Sequence, residues 1–235
     1  MQKNIILDGK EYIYEFERKR IRNINLRIRS DGSIYVSCPN RVSDKAVNEF
    51  LISKKDFLIS SLNKVNSRIK NSKQVKTIEP GTKVSVFGVM KEVVIIPSRR
   101  NYVVLTSDNV VIYAKDIYDQ DLLLKVYNKW RAESLKAKVL HICDEVCPLF
   151  MNMGADEPAM IKFRSMKSRW GSCKPKERVI TFNYNLFEVP EDCIRYVVIH
   201  EFAHLLVPDH SERFYRYVAK VMPDWKVKRR LLNEY

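Results

Sequence analysis

Apolar and polar positions alternate through residues 12–38. Ile24, Leu26 and Ile28 stand on one side of Ser30-Asp31-Gly32, and Ile34 and Val36 stand on the other. A period of two sends successive side chains to opposite faces of a strand, and a Ser-Asp-Gly triplet is turn chemistry, so paired strands are predicted here. From Asp44 the period changes. Val47, Phe50, Leu51, Phe57, Leu58 and Leu62 fit one face of a helix capped by Ser43 or Asp44, and the polar stretch 66–74 reads as its exit and a connector. Residues 76–114 return to short strands. Val84 and Val86 precede a turn at Gly88, and "EVVIIP", "YVVLT" and "VVIYA" are separated by "SRRN" and "SDN", which predicts an antiparallel sheet.

A long helix is predicted from about Asp119 to Phe150, with Leu122, Val126, Trp130, Leu135, Val139 and Ile142 along it. Two further strands, "AMIKFRSM" and "RVITFNYNLF", flank the turn-rich "KSRWGSCKPKE", and helices at about 191–206, 211–221 and 224–234 close the chain. No internal repeat is visible. The fold class expected is α+β, with a basic β-rich region over 1–115 carrying one helix and an α+β domain over 116–235.

With 46% hydrophobic and 11% aromatic residues among 235, the chain can bury a core. No apolar run approaches the roughly 20 residues needed to span a bilayer, and "MQKNIILDGKEYIYEF" lacks the layout of a secretory signal. The five cysteines are scattered and odd in number, which is not a disulfide framework. A cytoplasmic setting without membrane association is expected. The net charge of +14 divides into +8 over residues 1–75, 0 over 76–160 and +6 over 161–235. Such a balance draws polyanions, nucleic acid or nucleotide included, and equally serves solubility.

The chemistry concentrates in "VVIHEFAHLLVPDH", which holds three of the four histidines. On a helix His200 and His204 stand one turn apart on one face and can bind one metal ion, with Glu201 beside the first as a general base. Random placement would give an H-E-x-x-H about 0.004 times in such a chain. A zinc site of this kind takes a third protein ligand and leaves a position for water. His210 is the candidate, because Pro208 should turn the chain back toward the pair; Asp209 and Glu212 compete with it. His141 lies on the long helix with Cys143 and Cys147, where core packing is the expected role. Arg169 could bind a carboxylate or phosphate, Asn183 could polarise a substrate carbonyl or satisfy a turn, and Tyr184 and Tyr196 are oxyanion donors by residue type. Trp170 and Gly171 are expected to pack the loop, and Cys173 to be a small buried residue.

"MKSRWGSC", "ITFNYNLFEVP", "YVVIHEFAHLLVPDHSERFY" and "MPDWKVKRRLL" together resemble the YgjP-like metallopeptidase-domain family, related to the SprT-like and WLM zincins. The resemblance covers about residues 160–235; the N-terminal region carries no diagnostic motif, and Phe202 stands where leucine is common. It implies a zincin-like catalytic domain with zinc on His200, His204 and His210, and Glu201 as catalytic residue. A polypeptide substrate follows for a metallopeptidase. Some members are described as metal-dependent nucleotide (UTP) pyrophosphatases, and SprT-like relatives act on DNA-bound proteins, so these two readings stand as alternatives.

Overall fold

A computed structural model describes residues 1–29, 31–71 and 77–235 of the chain. Contacts divide it into two compact units, Met1–Lys73 with Glu234–Tyr235, and Gln74–Asn233. The division falls near residue 73, not near 115 as expected.

The first unit is a sheet with two helices. Strands β1 (Gln2–Leu7), β2 (Lys10–Lys19), β3 (Asn25–Ile28) and β4 (Ile34–Pro39) lie in the order β1-β2-β4-β3. Both hairpins are antiparallel, while β2 and β4 run parallel. Of the turn expected at 30–32, Ser30 lies outside the described residues; Arg29 N–H donates to Ser33 O (2.9 Å), and Gly32 sits at φ +85°. The alternation delivers Ile5, Leu7, Tyr14, Phe16, Ile34 and Val36 to one core with Val47, Leu51 and Leu58 of the helices. The expected single helix is two, α1 (Asp44–Ser53) and α2 (Lys55–Asn71), interrupted at Lys54. Ser43 is the cap, its hydroxyl accepting from Ala46 N–H (3.2 Å). Of the stretch read as connector, 66–71 continues α2, and 72–74 lies outside the described residues.

In the second unit, β5 (Lys83–Val86), β6 (Val89–Pro97), β7 (Tyr102–Leu105) and β8 (Asn109–Ala114) repeat the first sheet's topology in the order β5-β6-β8-β7. The sheet is mixed, not antiparallel as expected, because β6 and β8 run parallel between two antiparallel hairpins. Alternation reports which face a residue takes and is silent about strand direction. Helix α3 (Gln120–Met151) is capped by Asp119, whose carboxylate accepts from Leu122 N–H (3.0 Å). Its buried stripe begins at Leu123 and Tyr127, one residue on from the expected Leu122 and Val126. A three-stranded sheet follows in the order β10-β11-β9, from β9 (Met160–Arg164), β10 (Gly171–Lys174) and β11 (Val179–Asn183). Helices α4 (Glu191–Ala203), α5 (Glu212–Val221) and α6 (Trp225–Leu232) complete the unit.

Helix α4 is apolar nearly all round and packs against α3, α5, α6 and β10, with Phe202 6.0 Å from Phe150. Its entry is fixed by the short helical turn Tyr184–Glu188, which is stitched to the β5–β6 hairpin. Phe87 N–H donates to Phe187 O (2.8 Å), Ser85 Oγ donates to Glu188 O (2.8 Å), and Arg131 on α3 pairs with Glu188 (2.7 Å). No helix among the described residues is long and apolar enough to cross a membrane.

Gly88, at φ +80°, sits where an added Cβ would stand 2.7–2.8 Å from Pro190, the residue that caps α4. Gly88→Ala should therefore lose about 2–4 kcal/mol in denaturant unfolding, from backbone strain plus the clash. Gly154→Ala, at φ +94° with nothing within 4 Å, should lose about 1 kcal/mol, from strain alone. Equal losses would show that the contact with Pro190 does not matter.

Candidate metal centre

His200 and Glu201 occupy the last turn of α4, and His204 is its C-cap. The helix stops there, shorter than expected: the Leu206 and Val207 N–H groups both donate to Ala203 O (3.1 and 3.0 Å) as the chain turns toward Pro208. The turn carries His210 back over the helix end. One ring nitrogen from each of His200, His204 and His210 lies within 4.8 Å of the others, and Nε2 of His210 stands 3.0 Å from Nε2 of His200. Two nitrogens bound at ~2.05 Å to a tetrahedral ion are about 3.3 Å apart, so the spacing suits a shared metal. The competing ligands are engaged elsewhere. Asp209 accepts from Ser211 N–H (3.0 Å), and Glu212 is exposed with Arg216 3.9 Å away.

The surroundings favour neutral imidazoles, the form that binds metal. Nδ1 of His204 lies 3.1 Å from Val207 O; as the donor, it leaves Nε2 with its lone pair for a metal. His204 is 8% exposed, and burial lowers its pKa. Burial, with the other two histidines, drives His200 down to about 3. Phe214 on α5 floors the cluster, its ring 4.9, 4.6 and 5.0 Å from those of His200, His204 and His210. Nδ1 of His200 is buried with no hydrogen-bond partner among the described residues. Three converging nitrogens, one in a buried ring and one in a half-buried ring held neutral, fit a divalent metal of borderline softness.

Glu201 is 4% exposed, and burial lifts its carboxyl to about 8 against the pull of Arg169. It lies against β10 so closely that a Cβ on Gly171 would stand 2.6 Å from Oε1. Any side chain there would force Glu201 to shift, which gives the Gly171 of "RWGSC" a sharper role than loop packing. Cys173 on the same strand is a thiol pushed up to about 12 by burial and Glu201.

The other residues singled out in the sequence divide. Arg169 lines a cavity beside His200 and Glu201 together with Tyr196. Asn183 does not look into it. At 3% exposure its Nδ2 donates to Met166 O and Arg169 O (both 2.8 Å), and its Oδ1 accepts from Met166 and Asn185 N–H (3.3 and 3.1 Å). Those four bonds fill the amide's capacity, so Asn183 moulds the loop that presents Arg169. Tyr184 packs on Phe163, 6.1 Å between centroids. His141 is 68% exposed on α3 beside Glu145. Sequence reasoning passed over Phe214 and Arg229. Both stand in segments quoted for the family resemblance, but a lone phenylalanine or arginine carries no spacing signature.

Metal-free protein exposes the electrostatics directly. An unfolded carboxyl loses its proton above its ordinary 4.5, whereas folded Glu201 keeps its own to about 8, so this group costs stability as pH rises through that window. Glu201→Gln should gain stability relative to wild type from pH 4.5 to 8 and level off above. A difference that does not change with pH, measured by denaturant unfolding with a chelator present, would contradict the burial assigned to Glu201.

No curated protein matches the chain. Among solved structures, the crystal structure of the metallopeptidase zymogen of Pyrococcus abyssi abylysin is 27% identical over 40% of this chain and 86% of that one, with a TM-score of 0.32. The sequence profile described as "YgjP-like, metallopeptidase domain" matches residues 22–235 and takes in most of the N-terminal region, where no motif was legible. The chain belongs to the YgjP-like metallopeptidase-domain family.

Proposed function

We propose that the chain is a zinc-dependent metallopeptidase acting on unstructured polypeptide, with Glu201 as general base. The observation that carries this is the convergence of the His200, His204 and His210 ring nitrogens next to a buried carboxylate. His200, His204 and His210 would hold the ion. Zinc bound there supplies Lewis-acid chemistry, polarising a carbonyl and acidifying water. In its ionised form, which a cation held by the three histidines would favour, Glu201 accepts a proton from the attacking water at a carboxylate oxygen, holds it, and delivers it to the departing amine. Phe214 and the apolar surface of α4 keep the site dry and strengthen its electrostatics. Asn183 sets the loop on which Arg169 stands.

The histidine cluster is the group of three or more potential ligands that converges among the described residues, with no carboxylate cage of the kind that holds magnesium for phosphoanhydride chemistry. That favours the peptide bond over the nucleotide.

Two outcomes are expected. Glu201→Gln should retain one zinc per chain and lose about 10²–10⁴-fold in cleavage of a casein-like polypeptide. Nucleoside triphosphate turnover that needs Glu201, with no peptide cleavage, would reverse the assignment. His204→Ala should lose most bound zinc in elemental analysis after gel filtration; full occupancy would remove His204 from the ligand set.

A further inference from the structure

Beside the metal centre opens a cavity of about 210 Å³, lined by His200, Glu201, Arg169, Tyr196 and Arg229 among others. It is smaller than the roughly 300–1,000 Å³ of a typical small-molecule pocket, so it suits one side chain or a chain end. Two guanidinium-bearing residues, from separate elements, line this small space. Neither is in an ion pair among the described residues, whereas the more buried Arg131, Arg195 and Lys228 are all paired. The one carboxylate of the lining, Glu201, is buried against Gly171.

Both arginines are supported from behind. The backbone carbonyl of Arg169 is held by Asn183 Nδ2 at 2.8 Å. Nη1 of Arg229 donates to the hydroxyl of Tyr215 at 3.2 Å, and the Tyr215 ring is stacked on the buried Trp225, 4.5 Å between centroids and 13° between planes. One of five guanidinium N–H donors is thereby occupied, which leaves a fork for a ligand. Two arginines in the lining of one small cavity give it a positive field, offset there only by Glu201, on which Arg169 acts, and a bound anion is favoured by that field. Carboxylate is the anion a polypeptide substrate carries.

We propose that Arg169 and Arg229 form a carboxylate-binding subsite that selects polypeptides bearing a carboxylate next to the bond to be cut. This rests on the peptidase reading above. The carboxylate is either the free C-terminus of the substrate or an Asp or Glu side chain.

Binding separates the subsite from catalysis. Three matched fluorescent hexapeptides are titrated by anisotropy against zinc-loaded, full-length Glu201→Gln protein. One is neutral and C-terminally amidated, one neutral with a free C-terminus, and one amidated with a single glutamate. At least one carboxylate peptide should bind about tenfold tighter than the neutral amide, and which one identifies the source. Arg169→Gln and Arg229→Gln, each added to that background, should abolish the preference; both residues are exposed, and thermal midpoints check the fold. Lys125→Gln, outside the lining, controls for net charge and should keep it. Equal affinity for all three peptides, no binding, or a preference that survives both arginine changes overturns the subsite. Wild-type protein is then given the same peptides. A binding preference without cleavage leaves the subsite standing and sinks the peptidase reading, whereas cleavage of the neutral amide as fast as the others does the reverse.

Discussion

Two imidazole nitrogens held 3.0 Å apart cannot both present lone pairs to the gap unless a proton or a cation lies between them. Much of the second unit's local structure serves to hold that juxtaposition. A helix buried on nearly every side fixes His200, its C-terminal turn fixes the tautomer-setting neighbour of His204, and the turn before α5 returns His210 with Phe214 of α5 beneath it. Burial of His200 makes its protonation costly, so a metal becomes the favoured partner for its lone pair.

The same burial sets the behaviour of Glu201. Packed against a strand residue with no side chain, the carboxyl is kept from water and its proton is retained well above the usual carboxylate range. Position and protonation are therefore not independent. Anything that opens the gap between β10 and α4 admits water, and the group would revert toward an ordinary surface acid.

How much of this was legible in the sequence depends on the range of the signal. His200, Glu201 and His204 are read from a four-residue helical spacing, and the first cap is narrowed to Ser43 or Asp44 by local hydrogen-bond chemistry. His210 needed one further inference, the turn at Pro208. Pairing direction in both four-stranded sheets was not legible, since alternation marks faces and leaves neighbours unspecified. The repeated topology of those sheets escaped for the same reason, because their sequences share no visible period. Asn183 had a residue type suited to two roles, and only the four bonds it makes in three dimensions assign it to the loop. Arg229 is one of many arginines in a basic chain; what sets it apart is a tyrosine fourteen residues away, a distance in sequence that no motif encodes.

The aromatic stack behind Arg229 has an optical consequence. Of the chain's three tryptophans, Trp170 lines the cavity itself, and Trp225 lies face to face with the tyrosine whose hydroxyl holds Arg229. Indole emission responds to nearby charge and to changes in stacking. The fluorescence of the unlabelled protein is thus wired to the cavity at two points, and an occupant that draws Arg229 off Tyr215 changes the colour or intensity of the light Trp225 returns.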